Sequence, residues 1–107
     1  MRLMENQSLL GCLLVCACHT DLGCESEAAA GYYNRPWRWD RIVANAGSIG
    51  IIQCHSSDDP FIPMTEASYV AQQLSSEFHQ FDNRSHFFCD EDIDSMLDIL
   101  IDKIRNL

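Results

Sequence analysis

Two stretches of the chain are apolar almost without interruption. The first, Cys12 to Cys18, reads CLLVCAC, and the second, Ile49 to His55, reads IGIIQCH. Neither alternates with period two, so both predict strands covered on both faces, as in a parallel sheet sandwiched by helices. The β-branched content of the second run supports the same reading. Between them lies a long polar connection, HTDLGCESEAAAGYYNRPWRWDRIVANAGS, with aromatic residues gathered around Pro36. It predicts a loop carrying a short helix over Trp37 to Ala46, cut off by Gly47.

Downstream, Ala67, Val70, Ala71 and Leu74 recur at helical spacing and predict an amphipathic helix from Met64 to Ser76. The run EFHQFDN, from Glu77, predicts a short third strand. Ile93, Met96, Leu97, Leu100, Ile101 and Ile104 then form a helical stripe to the C-terminus. Asp90, Glu91 and Asp92 at its start and Lys103 and Arg105 at its end suit the helix dipole. At the other end of the chain, Met1 to Gln7 has the composition of a helix end, and Gly11 separates it from the first strand.

Strand, loop with helix, strand, helix, strand, helix is the order of an α/β fold with a parallel sheet. Three strands make a small sheet, and parallel strands buried on both faces need neighbours. The expectation is therefore one partial α/β domain over residues 1–107, belonging to a larger fold or covered at its edge by something else.

Charge and cysteine content narrow the function. With 16 acids against 7 bases the net charge is −9, which argues against phosphate backbones and hence against nucleic acid as a partner. The apolar run Leu9 to Cys18 is half the length of a membrane-spanning helix, roughly 20 residues. Arg2 is the only base near it, Glu5 spoils a positive leader, and no convincing cleavage site follows, so a cytoplasmic protein with no membrane partner is expected. Cysteines 12, 16, 18, 24, 54 and 89 read as reduced thiols in apolar surroundings. Cys16-Ala-Cys18-His19 lacks the second cysteine pair of a structural zinc site, and neither a metal nor a cofactor is expected.

In open α/β sheets, functional groups gather at the carboxyl ends of the strands. Asp58 and Asp59 follow the second strand and His86 follows the third, in DNRSHFF, with Asp59 and His86 27 residues apart. An acid after one strand and a histidine after the next is the acid–base half of a Ser-His-Asp hydrolase. Adjacent residues point different ways, so only one of the two acids can meet His86, and spacing alone leaves both open. The hydrolase order places the serine upstream, on a G-x-S-x-G turn. No such turn is present, and Ala46-Gly47-Ser48-Ile49-Gly50 differs both in its first residue and in leading into a strand. His19, His55 and His79 are expected at polar edges or on the surface. Trp37 and Trp39 are expected to be packing anchors of the long loop.

GYYNRPWRWDRI, Gly31 to Ile42, followed by SSDDPFIP and by a histidine before Phe87, resembles the C-terminal part of the retinoblastoma-binding protein 9 family of serine hydrolases, which is related to the YdeN-like proteins. The resemblance runs over nearly the whole chain. It implies an α/β-hydrolase fold in which Asp59 is the catalytic acid and His86 the general base, acting on a small-molecule or peptide ester or amide, which leaves Asp58 as a turn residue. In that family the nucleophilic serine falls just ahead of the position matching Met1, and the oxyanion-hole loop lies near the N-terminus. The resemblance thus implies that this chain supplies only acid and base and is inactive alone. The alternative is a non-catalytic truncated form that acts as a protein-interaction module.

Three departures from the family pattern stand out. Ser85 replaces the usual glycine before the histidine, Cys54 and His55 replace an aromatic–glycine pair, and the Ala46 to Gly50 segment is slightly longer. The family's Leu-x-Cys-x-Glu motif for pocket proteins is incomplete both at Leu22 (LGCES) and at Phe87 (FFCDE).

Overall fold

A computed structural model describes residues 1–107. Its elements are β1 (Gly11–Val15), α1 (Glu25–Ala29), α2 (Trp39–Ala44), β2 (Gly50–Ser56), α3 (Met64–Leu74), β3 (Glu77–Phe81) and α4 (Asp90–Arg105), preceded by a 3-10 turn over Arg2–Glu5. The three strands form one parallel sheet in the order β1-β2-β3. Cys12 lies opposite Ile51 across the first pair, and Cys54 lies opposite His79 across the second. The α/β class and the order of strands and longer helices agree with the sequence reading.

β2 is central, and its alternate residues supply two separate cores. Ile51 packs with Ile42, Ala46, Val70 and Leu74 beneath α2 and α3. Ile52 and Cys54 pack with Phe87 and Met96 beneath α4. A strand flanked in this way must be apolar at nearly every position, which is why the second run does not alternate. Its one buried amide is satisfied at both ends: Gln53 Nε2 donates to the Ala67 carbonyl at 2.8 Å, and Ser76 Oγ donates to Gln53 Oε1 at 2.9 Å.

The structure corrects several sequence expectations. β1 stops at Val15 rather than Cys18, because Cys16 enters the left-handed region at φ 57 and turns the backbone out of the sheet. β1 is also only half-buried, and its last residue is exposed. It is an edge strand with β2 on one side alone. The stripe on α4 is split: Met96 is buried, while Ile93, Leu97, Ile101 and Ile104 stay exposed. α1 was not foreseen, since ESEAA is exposed throughout and carries no apolar periodicity. Gly47, expected to end a helix, does more than that. At φ 70 it passes so close to β1's lead-in that a Cβ would run into the carbonyl oxygens of Leu9 and Leu10.

The long connection is pinned by its aromatic residues. Trp37 stacks on Trp39 at 5.5 Å, and its indole N–H donates to the His19 carbonyl at 2.8 Å. Both tryptophans pack against the core beneath α2 and α3, in line with a role as anchors. No helix is long and apolar enough to cross a membrane.

Candidate functional site

The turn after β2 is built around the Asp59 side chain. Its Oδ1 accepts from the backbone amides of Phe61 and Ile62 at 2.8 and 2.9 Å, an Asx turn that folds the Asp-Pro-Phe-Ile segment back on itself. Pro63 then opens α3 in extended geometry. With Oδ1 committed, Oδ2 is left facing the loop after β3, where His86 Nδ1 lies 2.8 Å away. The Asp59 side chain is fully buried and that of His86 is one-third exposed. Burial alone would raise the Asp59 pKa, but the Ile62 and Phe61 amides, together with His86 and Cys16, hold the carboxyl below its ordinary value.

The His86 loop is latched to the Asp59 turn through Asp58. Asp58 Oδ1 accepts from Ser56 Oγ and from the Ser85 amide, the latter at 3.1 Å. Ser56 Oγ in turn accepts from the Arg84 amide at 3.1 Å, and Ser57 Oγ donates to Asp82. The adjacent acids therefore divide the work: Asp59 meets the imidazole and Asp58 holds its loop. Sequence reasoning gave Asp58 only a turn role, and the repeated acid was the available hint. Phe61 packs edge-on against His86 at 5.3 Å, and Phe88 lies at 5.6 Å.

His86 sits between two clefts. One, of about 510 Å³, is lined by Cys18, Thr20, Tyr33, Phe61 and Ile62 among others. The second, of about 340 Å³, is bounded by Leu13, Cys16, Phe87, Met96 and Leu97. Cys16 reaches the pair from the end of β1, so that one ligand atom from each of Cys16, Asp59 and His86 lies within 4.8 Å of the other two. Burial, reinforced by the adjacent Asp59, pushes the Cys16 thiol up to about 12. The structure separates Cys16 from the rest of its sequence cluster: Cys18 pairs with the Tyr33 hydroxyl at 3.1 Å, and His19 Nε2 meets Glu66 at 2.8 Å.

Two histidines differ from the sequence expectation. His55 is fully buried, because it stands on the central strand beneath the turn that follows it. Its Nε2 donates to the Ile62 carbonyl at 2.8 Å and lies 3.9 Å from Asp59 Oδ2, while Nδ1 has no partner. It thus braces from below the turn that Asp59 closes from above. His19 is mostly buried, stacked on Tyr69 at 4.1 Å. His79 is more open and pairs with Glu77 at 2.8 Å, as a surface residue does.

No protein-family model matches the chain, but curated proteins and solved structures do. The serine hydrolase RBBP9 of Rattus norvegicus is 44% identical over 87 residues, which is 81% of this chain and 46% of that protein. The chain thus spans about half the length of the curated relative it matches. The crystal structure of the ydeN gene product from B. subtilis superposes with a TM-score of 0.79 at 19% identity, covering 97% of this chain and 58% of that one. That likeness establishes the fold, and both matches agree with the C-terminal part of such a protein.

Proposed function

From this chain's relationship to the retinoblastoma-binding protein 9 family of serine hydrolases, we propose that it carries the acid and the base of a Ser-His-Asp hydrolase acting on an ester or amide. The observation that carries the reading is the 2.8 Å contact between His86 Nδ1 and Oδ2 of the buried Asp59 side chain. With the Nδ1 proton donated to Asp59, the lone pair at Nε2 is the one that takes a proton from a serine hydroxyl. Asp59 then stabilises the resulting imidazolium. On this reading the serine and the oxyanion donors come from outside residues 1–107, which contain no G-x-S-x-G turn, and these residues alone do not turn over substrate.

A serine-directed fluorophosphonate probe tests this. The 107-residue chain is expected to label no faster than its His86→Ala variant, and faster labelling would overturn the claim that it lacks the nucleophile. In a protein that joins these residues to a serine nucleophile, Asp59→Ala and His86→Ala should each lower kcat by on the order of a thousandfold or more. A loss below tenfold in either would remove that residue from the proposed dyad.

A second reading, a non-catalytic interaction module, is favoured by one observation. Ile93, Leu97, Ile101 and Ile104 form a continuous exposed row along α4.

A further inference from the structure

A second set of donors overlaps the Asp59–His86 pair. Cys16 leaves β1 in the left-handed region, and this brings its thiol to the carboxylate and the imidazole, with all three ligand atoms within 4.8 Å of one another. Exposed carboxylates often cluster by accident, but the Asp59 side chain is fully buried and preorganised. Its Oδ1 is already held by two backbone amides, so Oδ2, the oxygen that faces His86, is the one left to coordinate. Outer hydrogen bonds of this kind orient a ligand before any metal arrives. The His86 ring is likewise oriented by Phe61 and Phe88.

The chemistry of the set is selective. One thiolate, one imidazole and one carboxylate match the mixed sulfur, nitrogen and oxygen ligation of zinc, and three protein ligands leave a fourth tetrahedral position for water. Cys16 and His86 both line the 340 Å³ cleft, which provides an entry path.

We propose that Cys16, Asp59 and His86 bind a single zinc ion between them, in the place now taken by the proton that His86 Nδ1 shares with Asp59 Oδ2. The Cys16 thiol proton leaves to solvent, and the imidazole shifts its proton from Nδ1 to Nε2 and stays neutral. The charges of thiolate and carboxylate then balance the ion. While zinc is bound, Nε2 carries a proton and cannot act as a base, so the ion blocks the proposed hydrolase dyad. The proposal concerns the same residues as that reading but stands on their geometry, and metal binding is measured without turnover.

Cobalt(II), an optical substitute for zinc, is expected to give the chain a thiolate-to-metal charge-transfer band, saturating at one ion per chain and erased by added zinc. Cys16→Ser should remove the band and weaken binding on the order of tenfold or more, whereas Cys18→Ser and Cys24→Ser should retain it. In the unmodified chain, zinc should slow alkylation of Cys16, mapped by mass spectrometry, relative to the exposed Cys24 and Cys89. A charge-transfer band that persists in folded Cys16→Ser, or an alkylation rate at Cys16 that zinc leaves unchanged, overturns the proposal. The alkylation arm needs no variant and decides the matter even if Cys16→Ser fails to fold.

Discussion

Burial by itself would raise the Asp59 pKa, but two backbone amides, an imidazole and a thiol surround the carboxyl and hold it below its ordinary value. Glu5 is in the same situation: burial would raise its pKa, but the Arg38 amide and the guanidinium groups of Arg2 and Arg35 lower it. For both, the folded pKa lies below the unfolded one. The stability they contribute is therefore complete above the unfolded carboxylate values, about 3.9 to 4.3, and is lost as pH falls through that range toward the folded values. Thermal melts followed from pH 6 to pH 3 should show a falling midpoint, and Asp59→Asn should flatten that fall while costing roughly 1–3 kcal/mol at neutral pH. At this scale the sequence displayed the Asp58–Asp59 pair and His86, because acids and a histidine after consecutive strands form a recognisable set, and the family resemblance singled out Asp59. It did not display His55 or Cys16. Their places depend on which strand is central and on one left-handed residue, and neither is written in a local pattern.

The strands and long helices were legible because buried parallel strands and amphipathic helices leave strong periodic signatures. Their ends were less so, since they are set by single backbone torsions such as that of Cys16. The loop between β3 and α4 shows the same dependence. Asn83, Ser85 and Phe87 all have positive φ, at 62, 55 and 57, so the base is carried on alternating left-handed residues. At Ser85 an L side chain is strained, which gives a physical reason for the glycine that the related family usually has there. Ser85→Gly should stabilise the chain by up to about 1 kcal/mol in denaturant unfolding and leave the Ser85 amide bond to Asp58 in place. A destabilisation of that size instead would mean that the serine side chain has a compensating role.

Across the whole molecule, the sequence anticipated a sheet too small to close on itself, and β1 is indeed left with a free edge. It could not indicate which part of the α4 stripe faces inward, because periodicity marks an apolar face without naming its partner. Tertiary contacts also run where no pattern pointed. Arg2 lies over the Trp37 ring at 3.7 Å and donates to the carbonyls of Tyr32, Arg35 and Pro36 as well as to Glu5. All six cysteines are free, so no covalent cross-link ties the long connection down. Arg2 does so instead, joining points 34 residues apart in the chain. A clasp of that span acts on the entropy of the open chain as well as on native contacts, much as a disulfide does, except that it can open and reclose without any redox chemistry. Arg2→Ala should therefore cost about 2 kcal/mol and hasten tryptic cleavage after Arg38, a site far from the substitution in sequence. In the unsubstituted chain the long connection is held in place by a reversible cross-link supplied from the chain's second residue.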